Sequence, residues 1–298
     1  MGMRRKTECR RLNLATNRTS IKKLEMRNKL ILVCILLLVA LAIYLIYLMS
    51  KAAQEEKFKD QHVVVDYTYN QALARQMHTD AVASDGVKWS KADRSQINRY
   101  LHPEPFYHHS EQKYQFLNLR KPQGISAGKL DELLRGKGIL EGQGAVFRDA
   151  AHESDLNEIY LISHAQLETS KGVSELAKGL KVNDKGQLDP QGKTYYNFFG
   201  VGAFDYNAVA EGAKYAQQHG WDTPEKAIKG GAEFIAEEYL SRDNQYTLYS
   251  MRFNPVDPGR HQYATDVMWA HHNARQMAKY YKQMGIEGKF YTRHHYKK

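Results

Sequence analysis

The sequence predicts an α+β protein: a mainly helical domain with a small β-lobe bordering a groove, preceded by one transmembrane helix. Three observations carry this. Residues 30–49, LILVCILLLVALAIYLIYLM, run for 20 residues without a charge. From about residue 125 onward, apolar residues recur at helical spacing between cap and stop signals. Between residues 183 and 192, two turn signals stand among extended residues.

The uncharged run comes first. About 20 apolar residues, at roughly 1.5 Å each, cross a bilayer core of about 30 Å. The run is apolar on every side, whereas a core helix of this length would carry a polar stripe. Ten basic residues against two acidic ones, Glu8 and Glu25, precede it. After it, Lys51, Lys57 and Lys59 are balanced by Glu55, Glu56 and Asp60. The positive-inside rule therefore predicts a single-pass protein of the cell membrane, with the N-terminus cytoplasmic and everything after about Ser50 outside. The rival is a cleaved signal peptide, with Ser50 and Ala52 as small residues at the cleavage site, although cleavable apolar regions usually run about 7–15 residues. A start at Met26 would leave only a short basic segment ahead of the span.

The net charge of +10 follows from this topology. The 269 residues after the tail hold 33 basic and 31 acidic side chains, so the charge argues against a nucleic-acid partner. The expected partners are the lipid bilayer and, through the span, a polytopic membrane protein, although no Gly-x-x-x-Gly marks a packing face. Cys9 lies in the tail and Cys34 in the span, so the external part has neither disulfides nor a cysteine nucleophile.

The chain divides into a basic tail (1–29), the span (30–49), a tether (50–60), an N-terminal external part (61–140) and a core (141–298). An extended tether of about 11 residues reaches only ~35–40 Å. Residues 62–69 alternate like a strand, while Tyr69 to Met77 has helical character. Residues 125–134 form a short helix capped by Ser126 and ended near Gly136. Leu156, Ile159, Ile162 and Ala165 mark an amphipathic helix ending before Gly172. Asn183 to Gly186 and Asp189 to Gly192 are the turns of the β-lobe. Further helices run over Ala208 to His219, over Pro224 to Tyr239 with Thr223 as N-cap, and from Thr265 or Asp266 to about Met284. The Gly230-Gly231 pair inside one of them marks close packing.

Glu168 stands at the C-terminal end of the fourth of these segments. The helix terminus there carries partial negative charge, and apolar neighbours such as Leu167 add desolvation. Both effects raise a carboxyl pKa, as a general acid for glycosidic bond cleavage requires. Aromatic residues gather at Tyr195, Tyr196, Phe198, Phe199, Phe204 and Tyr206, with Tyr263 and Trp269 further on. Ring faces suit the apolar faces of sugars, and phenols reach their hydroxyl groups. Phe198 and Trp269 are core candidates, whereas Tyr196, Asn197 and Tyr263 are polar-tipped and are expected to line the groove. Glycoside hydrolysis ordinarily takes two carboxyl groups, and Glu175, Asp205, Glu211 and Asp266 are candidates for the second. Asp205 follows a Gly-Val-Gly-Ala-Phe loop that can swing it toward the groove. An N-acetylated sugar can instead use its own acetamido oxygen. His-Glu-x-x-His, Gly-x-Ser-x-Gly and phosphate-loop motifs are absent, and adjacent histidines such as His271 and His272 point about 100° apart on a helix. No metal and no cofactor are expected.

Residues 125–147 (ISAGKLDELLRGKGILEGQGAVF), 156–172 (LNEIYLISHAQLETSKG), 195–205 (YYNFFGVGAFD), 212–235 (GAKYAQQHGWDTPEKAIKGGAEFI) and 261–269 (HQYATDVMW) together resemble the peptidoglycan glucosaminidases of glycoside hydrolase family 73, in their staphylococcal, membrane-anchored type. The resemblance runs from about Asp60 to Lys298. It implies a lysozyme-like helical core and a β-lobe enclosing a glycan groove, with 141–298 as the catalytic core. It implies that Glu168 is the general acid cleaving the β-1,4 bond between GlcNAc and MurNAc of peptidoglycan glycan strands. Tyr263 would be a catalytic-site tyrosine, Tyr196 and Asn197 would line the groove, and Phe199 and Gln262 lie in matching segments as further substrate-binding candidates. Asp205 and Glu211 remain open as the second carboxylate. Ser170 departs from the family, which commonly has Gly there, and this bears on the turn after Glu168. The expected function is glycan-strand trimming near the membrane. The alternatives are a lytic transglycosylase leaving 1,6-anhydro-MurNAc ends and a wall-binding scaffold without turnover.

Overall fold

The computed structural model describes residues 26–53, 60–202, 208–241 and 244–298. They fall into two compact units divided between Phe58 and Lys59. In the first, a single helix, α1 (Met26–Ala53), contains the uncharged run, and its side chains are exposed throughout.

The second unit is helix-rich with small sheets. Its chain opens with β1 (Asp60–Thr68) and turns into α2 (Tyr69–Gln76) at a capping box on Thr68. Both sequence readings of residues 62–77 are therefore realised, one after the other. A hairpin of β2 (Val82–Ser84) and β3 (Trp89–Lys91) and helix α3 (Arg94–Leu101) follow. Next come α4 (Ala127–Leu134), α5 (Gly144–Glu153) and α6 (Glu158–Glu168). Ser126 takes the expected N-cap position of α4, but its side chain makes no capping hydrogen bond. A short α7 (Glu175–Lys178) leads into β4 (Leu180–Val182) and β5 (Lys193–Tyr195), an antiparallel pair joined through the two predicted turns. Helices α8 (Ala208–Gln218), α9 (Pro224–Phe234), α10 (Leu248–Phe253) and α11 (Trp269–Gln283) precede β6 (Tyr291–Lys297), which pairs in parallel with β1.

Helix α6 is the central element. Its apolar stripe was the legible part, but it is buried on nearly every side because α5 and α11 both pack on it. Asn157 caps it, accepting from the amides of Ile159 and Tyr160 at 3.0 Å each. Glu158, 2% exposed, accepts from the amides of Gln123 at 2.7 Å, Gly124 at 2.9 Å and Ile125 at 3.1 Å. One carboxylate thus ties the helix start to the strand of chain leading into α4. Glu158→Ala leaves three amides without their acceptor, and urea unfolding should register a loss of about 2–4 kcal/mol.

The last long helix begins later than the sequence suggests. The carbonyls of Thr265 and Asp266 accept from the buried Arg252 guanidinium at 2.9 and 2.6 Å. Val82 bonds both sides of Asp266, donating to Thr265 O at 3.0 Å and accepting from Val267 N at 3.0 Å. These long-range partners claim the backbone groups of residues 265–267, so α11 starts at Trp269.

Candidate active site

Tyr160, His164 and Glu168 sit four residues apart on α6 and share one face of it. Glu168 is the last residue of the helix, and its side chain is 39% exposed. Gly200 (φ +65°) passes over the carboxyl so closely that a Cβ there would lie 3.1 Å from Oε2. Burial raises the Glu168 pKa, with partial exposure to the cleft limiting the effect.

His164 Nε2 lies 3.8 Å from Glu168 Oε1. Its ring stands edge-on between Tyr160, at 5.7 Å, and Phe199, at 5.8 Å. Burial pushes its pKa down to about 4, so it is neutral at neutral pH. A neutral imidazole exerts no cationic pull on the carboxylate, so the pair works in one direction: Glu168 keeps its proton more readily. The unfolded chain binds a proton near pH 6.5 that the folded chain refuses until about pH 4. His164 should therefore cost stability progressively as pH falls from about 6.5 to about 4, and His164→Gln should flatten the pH dependence of thermal unfolding across that window.

The carboxyl opens into a cleft of about 570 Å³. Phe199, Gly200, Phe234, Ile235, Tyr239 and Tyr263 line it together with the acid. Residues Ile235–Tyr239 continue α9 as a π-helical turn, a widening that brings Ile235 and Tyr239 to the same cavity. A second cavity of about 330 Å³ shares Tyr239 and Tyr263 with the first and adds Gln245, Met251 and Gln262. Tyr263 is fixed by its amide, which donates to Met251 O at 2.9 Å. Its ring packs on Tyr239 at 5.2 Å and Trp269 at 4.7 Å. Burial, then Tyr239 and Glu168, raise its pKa and keep the phenol protonated.

The expected site residues divide. Glu168, Tyr263, Phe199 and Gln262 reach these cavities. Asn197 is 1% exposed and faces inward, its Nδ2 donating to Val201 O at 2.8 Å and Gly212 O at 3.1 Å. Its Oδ1 accepts from Phe199 N at 3.2 Å and Val201 N at 3.3 Å, so it shapes the loop over the acid. Tyr196 is half-buried, stacked on Phe198 at 6.3 Å, and does not line the cleft. Asp205 lies outside the described residues. Of the other carboxyl candidates, Glu211 lines the cleft, Glu175 is exposed in the first turn of α7, and Asp266 belongs to a third cavity. His164 and Tyr239 went unread as site residues in the sequence, and Gly200 was read only as part of the loop ahead of Asp205. The four-residue spacing of His164 from Glu168 was the available signal for the first.

The turn after the acid is built on Thr169, whose hydroxyl donates to Ala165 O at 2.5 Å and accepts from Gly172 N at 2.8 Å. Ser170 (φ +49°), Lys171 (φ +66°) and Gly172 (φ +84°) are all left-handed. Ser170 holds a conformation that glycine adopts without cost, so Ser170→Gly should raise stability by about 1 kcal/mol in chemical unfolding.

The family described as mannosyl-glycoprotein endo-beta-N-acetylglucosaminidase matches residues 144–282. The bifunctional autolysin of Staphylococcus epidermidis is 44% identical over 248 residues, covering 82% of this chain and 18% of that protein. The chain thus spans about a fifth of the length of such relatives. The crystal structure of S. aureus glucosaminidase B superposes with a TM-score of 0.70 at 43% identity, covering 80% of this chain and 94% of that one. S. aureus autolysin E, solved with the muropeptide NAM-L-Ala-D-iGlu, is 39% identical with a TM-score of 0.62, covering 78% of this chain and 98% of that one. The chain belongs to the glucosaminidase family of glycoside hydrolases.

Proposed function

We propose that this protein is a membrane-anchored endo-β-N-acetylglucosaminidase that hydrolyses the GlcNAc-β-1,4-MurNAc bond of peptidoglycan and trims glycan strands close to the membrane. The observation that carries the reading is Glu168, a carboxyl with a raised pKa at the mouth of an aromatic-walled cleft, beside a neutral histidine. Family membership supports the substrate, as does the muropeptide held by autolysin E.

In this mechanism protonated Glu168 donates to the glycosidic oxygen as the bond breaks. Phe199 and Tyr239 flank the sugar, and the Tyr263 phenol, held protonated by burial, donates a hydrogen bond toward it. Glu211, or the substrate's own acetamido oxygen, meets the positive charge developing on the ring. Tyr196 and Asn197 support the β-lobe side of the site and the loop over the acid. Asp205, a few residues further along the sequence, remains a candidate for the second carboxylate. Helix α1 anchors the chain, with the basic tail cytoplasmic and the catalytic unit outside, and its apolar surface also suits a polytopic membrane partner.

Digestion of purified peptidoglycan, with the new glycan ends identified by mass spectrometry, tests the reading. Reducing GlcNAc ends are expected. Anhydro-MurNAc ends would move the assignment to a lytic transglycosylase, and an absence of new ends would leave a binding role.

A further inference from the structure

A third cavity, of about 630 Å³, is lined by the C-terminal half of α6 and by α11. It adjoins the catalytic cleft on both walls. On α6, Leu167 lines it and directly precedes Glu168, leaving a leucine 64% exposed beside the acid. On α11, Trp269 lines it and packs on Tyr263, which lines the cleft. An exposed leucine and a half-buried indole at such a place suit an apolar part of a ligand.

The remaining lining has a definite chemistry. Amide and hydroxyl groups come from Ser163, Gln166, Asn273 and Gln276. Gln166 is 4% exposed; its Oε1 accepts from the Tyr280 hydroxyl at 2.7 Å, and its Nε2 has no partner among the described residues. Lys171 is exposed, lines the cavity from the left-handed turn and forms no ion pair among the described residues. Such strain persists where surrounding structure holds it, and it is common at ligand sites. Asp266 also lines the cavity, but its Oδ1 accepts from Met268 N at 2.9 Å. Lys171 therefore brings a positive charge to the cavity and Asp266 a negative one, set among amide donors and acceptors and the apolar faces of Leu167 and Trp269. That combination fits a short peptide bearing a free carboxylate.

We propose that this cavity binds the acidic peptide stem attached to the muramic acid beside the bond being cut. The proposal rests on the glycosidase reading above. The stem's methyl groups would lie on Leu167 and Trp269, its amides would meet Asn273 and Gln276, and its carboxylate would meet Lys171. Strands would then be selected by what hangs from them as well as by their sugars.

The test uses the full chain in detergent micelles with two substrates: glycan strands bearing stems, and the same strands stripped by an amidase. The quantity read is the ratio of kcat/KM on stem-bearing to stripped strands, which cancels damage common to both. The wild type should favour stem-bearing strands, and Lys171→Gln and Gln276→Glu should each lower the ratio about fivefold, the scale of a partly exposed charge interaction. Gln276→Glu acts from α11, away from the turn that carries Glu168, and so decides the matter if Lys171→Gln perturbs that turn. The stem site is overturned if Gln276→Glu leaves the ratio within about twofold of wild type. It is equally overturned if the wild type cleaves both substrates alike, an outcome that leaves the glycosidase standing. Cleavage of neither substrate sinks the glycosidase reading itself.

Discussion

Glu168→Gln is expected to lower kcat on peptidoglycan by about 10²–10⁴-fold, with the fold intact. Glutamine keeps the shape of the side chain and loses the proton that would go to the leaving oxygen. The stability change has a predictable sign. Because burial raises the Glu168 pKa, the folded chain holds a proton that the unfolded chain releases near pH 4.5. Wild-type stability therefore declines as pH rises from that value through the raised folded pKa, and the glutamine variant escapes the decline. Thermal unfolding should find the two proteins alike in acid and the variant the more stable at neutral pH. Wild-type activity should fall on the alkaline side as the acid ionises. A variant retaining more than about a tenth of wild-type kcat would remove Glu168 from the role of general acid.

Gly231→Ala should destabilise the protein by about 1–3 kcal/mol, opposite in sign to helix propensity. In an exposed helix the same change would help by roughly 1 kcal/mol. Here the α9 backbone lies directly against the Phe199 ring, so a Cβ at residue 231 would overlap it, with even the ring Cγ only 3.1 Å away. Phe199 is 5% exposed and stands edge-on to His164, so its ring can move only by disturbing the face that carries Glu168. Activity should drop along with stability. Urea unfolding of Gly231→Ala, Phe199→Leu and the double variant checks the cause: the double variant should lose less than the sum, because the smaller side chain makes room for the methyl group. An alanine variant as stable as wild type would show that the contact relaxes freely.

What could be read in the sequence was local. The α6 stripe, the Thr223 cap of α9 and the turns between β4 and β5 each depend on neighbours within a few residues, and the Gly230-Gly231 pair was legible as two glycines inside a helical pattern, although its packing partners are remote. Gly230 indeed packs against the Trp221 ring as Gly231 does against Phe199. What escaped depends on distant chain. Residues 265–267 have helical spacing, but Arg252 and Val82 claim their backbone groups. Asn197 looks like a groove residue because its amide is polar, and only the loop around it reveals that four backbone groups are its partners. His164 was ordinary on paper, since nothing local says that Phe199 will close over it. The parallel pairing of β1 with β6 had no local signature at all.

That pairing bears on the order of events during synthesis. The stacked rings of His62 and His295 belong to residues 233 positions apart. β1 emerges from the ribosome first and finds no strand to pair with until β6 has been made, so its edge stays open through most of translation. Contacts so remote in sequence close slowly. The segment that joins the catalytic unit to α1 is therefore secured last, and the nascent chain depends throughout on whatever shields that open edge.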